Sequence, residues 1–306
     1  MTVTLIENFR AVFYAPFYAA FSLGAYAAEG LDVRMQASAD SSQVINRLLS
    51  GAGQVIWGGP MRLLHAHDDD PASDLVSFCE VVGRDPFSLI GRLPRPDFRM
   101  TDLRSCTVAV VSEVPTPWYC LRHDLRLAGI DPDSLTLAPP AGMAENLQRL
   151  RRGEVDVIQV YEPLVREALE GGYGHVWYAA ASRGPTSYTT LNTTRRFLAS
   201  EPAVALGMTR AIYRTQQWLY RHDDAAVARV IAEYFPDVPQ SQLAACIAGY
   251  RAAGIWNRDP VQQRAGVEWL RDAMLGCAAI RRQMAFEELN DPQFAAAAMA
   301  DPPPAL

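Results

Sequence analysis

The first 33 residues constrain the fold more than any other stretch. Thr2-Val-Thr-Leu-Ile-Glu7 has the length and composition of a short buried strand. A helix follows, entered through Pro16, whose missing N–H costs nothing in a first turn. Glu29-Gly30 ends that helix and Leu31-Asp-Val33 starts a second strand. Strand, loop, helix, glycine stop and strand form a βαβ unit, the building block of a helix-covered sheet. Ligands of such sheets sit where the strand feeds the helix. Here that place is the loop Asn8 to Tyr14, where Asn8, Phe9, Arg10 and Tyr14 can hold a small molecule.

The alternation continues. Strands are expected at Val3–Glu7, Leu31–Gln36, Gln54–Trp57 and Leu75–Val82, with helices at Pro16–Glu29, Ser41–Ser50 and Pro60–His67. A second α/β block has strands near Phe87–Arg92, Thr107–Val111, Leu135–Ala138, Val155–Val160 and His175–Tyr178. Its helices fall near Pro117–Ala128, Met143–Arg152 and Pro163–Glu170. After one more strand, Tyr188–Asn192, the chain is helical with breaks at Pro202, Pro236, Gly254 and Pro260. The pattern predicts an α/β protein of two lobes, each a mixed sheet flanked by helices, with a helical C-terminal tail. The chain crosses between the lobes near Asp85–Ser88 and Arg183–Thr189. Lobe one is then 1–86 plus 188–306 and lobe two 87–187, with a cleft and hinge between them. Two such crossings let lobes close on a ligand.

Composition excludes several function classes. A net charge of −6 and the lack of a basic arm argue against nucleic acid. No apolar run approaches the ~20 residues of a membrane span. The five cysteines are scattered, odd in number and free of CxxC spacing, so they read as buried thiols rather than zinc ligands or a disulfide framework. All 28 basic side chains are Arg. Without Lys there is no Schiff base to pyridoxal phosphate and no Lys base or nucleophile. His65 and His67 precede Asp68, Asp69 and Asp70, but residues two apart point to different helix faces, so no metal is expected. No GxSxG occurs, and the Cys120–His123 pair lies past its helix start. No catalytic residue and no cofactor is assigned.

Four further motifs carry candidate ligand contacts. Trp57-Gly-Gly-Pro-Met-Arg62 follows a strand and opens a helix. Gly58 and Gly59 let backbone approach a ligand, Trp57 offers a stacking face and Arg62 a forked donor. The alternative is a tight turn with Trp57 in the core and Arg62 solvated. In Ser112-Glu-Val-Pro-Thr-Pro-Trp-Tyr119, Ser112 or Thr116 can cap the next helix while Trp118 lines a cleft; the alternative is a plain cap with Trp118 packed between helices. Tyr161 and Glu162 end a buried strand at the ligand edge, where a carboxylate can accept from an amino group or ring N–H. The alternative is a surface Glu favoured by the helix dipole. Thr186 and Tyr188 lie at the second crossing, either facing the ligand or serving as hinge backbone.

Tyr14–Ala20, Gly24–Tyr26 and Glu29–Val33 together resemble the start of solute-binding proteins for nitrate, sulfonates, taurine and thiamine-pyrimidine precursors. The resemblance continues through Leu48–Gly51, Val55–Gly59, Leu147–Asp156 and Tyr161–Pro163, over roughly the first two-thirds of the chain. It implies a two-lobed periplasmic-binding-protein-like fold of type II. It also implies capture of a small heteroaromatic or anionic molecule between the lobes for uptake by an ABC permease. Arg10 and Glu162 are the expected charged contacts. The second reading is a cytoplasmic enzyme on the same scaffold. The chain is similar in fold to eukaryotic-type pyrimidine synthases of thiamine formation, but Met61 stands at their Lys position and their Cys-rich run is absent. Aryl sulfinate desulfinases also resemble this family and need a first-loop Cys, where this chain has Ala11. A third reading is a cytoplasmic ligand sensor. No secretory signal precedes the first strand. The expected location is extracytoplasmic if a leader was removed and cytoplasmic if Met1 is the natural start. Trp57→Ala and Glu162→Ala are each expected to weaken ligand binding without unfolding the protein.

Overall fold

The computed structural model describes residues 2–38 and 40–306. Among the described residues ten strands form two five-stranded sheets. The first sheet contains β1 (Thr2–Glu7), β2 (Asp32–Ala37), β3 (Val55–Gly58), β4 (Leu75–Val82) and β10 (Thr189–Thr194). The second contains β5 (Ser88–Gly91), β6 (Thr107–Ala109), β7 (Thr136–Leu137), β8 (Val157–Val160) and β9 (His175–Ala179).

Both sheets follow one plan. In the first, the order is β2-β1-β3-β10-β4, with β1 parallel to β2 and β3, and β10 antiparallel between β3 and β4. In the second, the order is β7-β6-β8-β5-β9, with β6 parallel to β7 and β8, and β5 antiparallel between β8 and β9. The antiparallel strand of each sheet is the one reached by crossing from the other sheet. The two crossings lie side by side: Thr186 N–H donates to Gly83 O at 2.8 Å, Tyr188 N–H to Val82 O at 2.9 Å and Ala180 N–H to Phe87 O at 2.9 Å.

Strands β3, β4 and β10 are buried along their whole length. That is why they read as continuous runs rather than alternating ones. The first expected helix is divided into Ala15–Ser22 and Ala25–Ala28 by Gly24, whose φ of +68° suits a residue without Cβ. The expected Ser41–Ser50 helix opens as a 3₁₀ turn, Ser41–Gln43, started by the Asp40 carboxylate accepting from Ser42 N–H at 2.8 Å, and becomes α-helical over Val44–Leu49.

The C-terminal helices grip the crossings from two sides. Helix Arg264–Gly276 meets Ser187, whose N–H donates to Gly266 O at 3.1 Å. A Cβ on Gly266 would lie 2.8 Å from that nitrogen, so only glycine allows the approach. The same helix packs on helix Thr116–Leu127 through Trp269 and His123, with ring centroids 5.0 Å apart. On the other side, Tyr250 of helix Gln240–Ala253 accepts from Glu162 N–H at 3.0 Å. Among the described residues no helix is long and apolar enough to cross a membrane.

Candidate functional site

The loops after β1 and β3, the start of helix Thr116–Leu127, the end of β8 and Tyr188 converge between the sheets. They enclose two adjoining recesses that share Phe9 and Val114 as a common wall. One has an empty volume of about 320 Å³ and is lined by Asn8, Tyr14, Gly59, Met61, Arg62, Thr116 and Tyr188 as well. The other, of about 490 Å³, adds Arg10, Glu113, Met143 and Tyr161.

Arg62 sets the chemistry of the first recess. It sits in the first turn of helix Met61–Asp69 and donates to Asn8 Oδ1 at 3.2 Å. No carboxylate of the described residues lies within 4 Å of it. Burial lowers its pKa, against the weaker pull of Tyr14 and Asp40. The Tyr188 hydroxyl is buried in the same recess, without a hydrogen-bond partner among the described residues. Gly59 brings the helix start close to the crossing: a Cβ there would lie 3.2 Å from Tyr188 O. Two helix starts, at Gly59–Met61 and Thr116, therefore flank one half-buried cation. That combination favours an anion.

The second recess differs. Arg10 is already committed to Glu7, with Nε–Oε1 at 2.6 Å and Nη2–Oε2 at 2.9 Å, and it donates to Tyr234 O at 2.9 Å. Its guanidinium lies over the rings of Tyr18 and Tyr234. Burial pushes the Tyr161 hydroxyl up to about 12, with Glu113 acting in the same direction. Glu113 accepts from Met143 N–H at 2.7 Å and so occupies the start of helix Met143–Arg152.

The structure thus brings together Asn8, Phe9, Arg10, Tyr14, Gly59, Arg62, Thr116, Tyr161 and Tyr188. Six other candidates lie apart. The Trp57 ring is fully buried and stacked on Phe17 at 4.7 Å, because both faces of β3 are covered. Gly58 O is used by Asn192 Nδ2 at 3.1 Å. Ser112 is exposed and donates to Ala141 O at 2.8 Å. Neither Ser112 nor Thr116 caps its helix, which starts without a side-chain cap. Trp118 packs against the second sheet's core under Arg122. Thr186 is buried in the crossing. Glu162 follows Tyr161 at the end of β8, and consecutive residues of an extended segment point to opposite sides. Its carboxylate lines a separate recess of about 590 Å³ with Arg166, Gly249 and Tyr250. There it accepts from Arg166 N–H at 2.9 Å, and burial raises its pKa.

Met61, Glu113, Val114 and Met143 line the recesses without having been singled out from sequence. The available signal was position: Met61 and Met143 open helices, and Glu113 and Val114 belong to a loop already marked. His67 binds Leu75 O at 2.8 Å, and Asp68 accepts from the backbone N–H groups of Arg281 and Arg282, each at 2.8 Å. Among the described residues no three His, Cys, Asp or Glu side chains gather as a metal site. Cys120 is fully buried.

Comparison with known proteins agrees with this architecture. The family described as NMT1/THI5 like matches residues 12–226. The Bacillus subtilis (strain 168) protein YtlA, named as a binding protein, is 22% identical over 295 residues, spanning 96% of this chain and 88% of that one. The periplasmic aliphatic sulphonate binding protein SsuA of Escherichia coli superposes with a TM-score of 0.74 at 15% identity, over 94% of this chain and 96% of its own. The periplasmic nitrate-binding protein NrtA of Synechocystis PCC 6803 gives 0.67 at 14% identity, over 99% and 89%. These likenesses establish a two-lobed periplasmic-binding-protein-like fold.

Proposed function

The chain belongs to the NMT1/THI5-like family, and from that premise we propose that it is a solute-binding protein of the ABC import type. It captures a small organic anion between two lobes, 1–86 with 188–306 and 87–187. Arg62 carries this reading. A half-buried guanidinium without a carboxylate partner among the described residues, set between two helix starts, is poised for a sulfonate or carboxylate. The adjoining recess of Phe9, Val114, Met143 and Tyr161 suits an apolar or flat aromatic body. The sulphonate and nitrate in the names of the two similar structures are oxyanions, which this head site suits. Turnover on the same scaffold is less well supported. Neither recess presents Cys, His or Lys to act as nucleophile or base, and the first loop carries Ala11.

Native mass spectrometry followed by a thermal-shift panel tests the reading. The panel holds alkyl and aryl sulfonates, aromatic carboxylates, nitrate and thiamine pyrimidines. At a hundred times Kd a ligand adds about 2.7 kcal/mol, which raises Tm by about 4 °C in a chain of this size. An anion that does so and is recovered unchanged supports a receptor. A ligand recovered chemically altered means an enzyme. Stabilisation by uncharged pyrimidines alone would remove the anion assignment.

A further inference from the structure

The recess behind β8 plays no part in the solute site, yet it is built from both lobes. Phe87, Glu162, Arg166 and Val176 come from lobe two, and Gly249, Tyr250 and Ile255 from lobe one. Glu162 is its polar centre, with a side chain only 7% exposed. Oε2 accepts from Arg166 N–H at 2.9 Å and from the Cys246 thiol at 3.6 Å. Oε1 has no hydrogen-bond partner among the described residues; Arg166 Nη2 stands 3.9 Å from it. Arg166 is under-used as well. Its Nε is buried without a partner among the described residues, and its Nη2 reaches Ala245 O only at 3.4 Å. Asp85, the recess's other carboxylate, is already taken by Phe87 N–H at 2.9 Å and Arg183 Nη1 at 2.7 Å.

Gly249 keeps the space beside this pair open. A Cβ there would lie 3.5 Å from Glu162 Oε1 and 3.8 Å from Arg166 Nη2, both ordinary contacts. A helix interior favours alanine over glycine, and neither crowding nor a left-handed backbone calls for glycine at this position of helix Gln240–Ala253.

We propose that this recess is a second binding site, for a small neutral primary amide on an apolar body, and that filling it tightens solute capture. The amide N–H donates to Glu162 Oε1 and its carbonyl accepts from Arg166. The body lies on Phe87, Val165, Leu169 and Val176, the last of which is 45% exposed as it stands. A neutral ligand fits because Glu162 and Arg166 offset each other. An ammonium is repelled by Arg166 and a carboxylate by Glu162, whereas one donor and one acceptor serve both. Coupling follows from the walls. The solute recesses and this one exist in a single lobe arrangement, and each takes residues from both lobes. Whatever fills one favours the arrangement that the other needs, and the effect is reciprocal. The coupling rests on the receptor reading above; the site itself does not.

Benzamide and N,N-dimethylbenzamide, titrated into the whole protein and followed by saturation-transfer NMR, test the site. Benzamide is expected to bind saturably and about tenfold tighter than the dimethyl compound, which has no N–H to give. Gly249→Leu puts a side chain into the recess and should weaken benzamide by about tenfold or more. Ala253→Leu, one turn along the same helix and on the same wall, replaces it if that variant folds poorly. No saturable binding of benzamide, equal binding of the two amides, or an affinity that survives filling of the recess overturns the site. For the coupling, 4-methylbenzenesulfonate is titrated calorimetrically with and without saturating benzamide, and should bind about fivefold tighter with it. Unchanged or weaker affinity overturns the coupling. If no aryl or alkyl sulfonate binds, the anion reading falls and the coupling with it, while the benzamide titration still decides the site.

Discussion

Glu80 offers the sharpest stability test. It lies in the middle of β4 with no exposed surface. Its Oε1 accepts from the Ser187 hydroxyl; its Oε2 accepts from Asn257 Nδ2 at 2.7 Å and from Gln263 N–H at 3.2 Å. One carboxylate thus ties β4 to a crossing and to the C-terminal tail. Burial raises its pKa from 4.5 to about 7, only partly offset by the three donors, while Asp259 pushes the same way. A buried acid with a raised pKa is held protonated in the fold after the unfolded chain has ionised. Stability is therefore full below about pH 4.5 and falls as pH rises to about 7. The gap between the two values corresponds to about 3 kcal/mol. Between about pH 5 and about pH 8 the expected loss is about 2–3 kcal/mol, since part of the unfolded-state ionisation precedes pH 5. Glu80→Gln mimics the neutral form: its amide can donate to Ser187 Oγ and its oxygen can accept from Asn257 and Gln263. Urea unfolding of both proteins at the two pH values should show the variant gaining about 2–3 kcal/mol on the parent at the higher pH. Parallel pH dependence in the two proteins would mean that Glu80 ionises normally, and the desolvation argument would be wrong.

Three other substitutions separate ligand contacts from framework. Arg62→Met should leave unliganded stability within about 1 kcal/mol, because a desolvated cation and one hydrogen bond are lost together. The same change should weaken binding of a stabilising sulfonate by about a hundredfold, read by calorimetry, since a two-point charged contact disappears. Retained affinity would move the anion elsewhere. Trp57→Ala should cost about 3–5 kcal/mol in a denaturant titration, because the ring is packed on Phe17 in the core. Glu162→Ala should leave ligand affinity within about twofold, as its carboxylate faces the recess behind β8; a larger loss would return it to the ligand site.

The strands were legible because short apolar runs bounded by glycine stops are local signals. Gly24 was visible, but its effect was not: whether a helix continues past a glycine depends on the φ that packing demands there. Trp57 shows the central ambiguity. An aromatic at the end of a buried strand reads identically whether its ring meets a ligand or another ring, and only the position of Phe17 decides. Glu162 shows a second. The sequence places the end of β8 at the ligand edge, yet the side chosen by Tyr161 and by Glu162 depends on the last strand residue's orientation. Arg10 and Arg62 look alike in sequence, and they separate only because Glu7, three residues before Arg10, is buried beside it.

Strand β10 sits between β3 and β4, yet it is made only after the whole of the second sheet. During synthesis the first sheet therefore waits with a slot at its centre, and the buried edges of β3 and β4 stay unpaired until residues near 190 leave the ribosome. The intervening segment begins and ends in adjacent, hydrogen-bonded chain, so it can collapse on its own first and then deliver β10 to the gap. Such long-range closure folds slowly. A ribosome stalled shortly before β10 would present an aggregation-prone half-sheet, which makes the pace of translation across that point a determinant of yield.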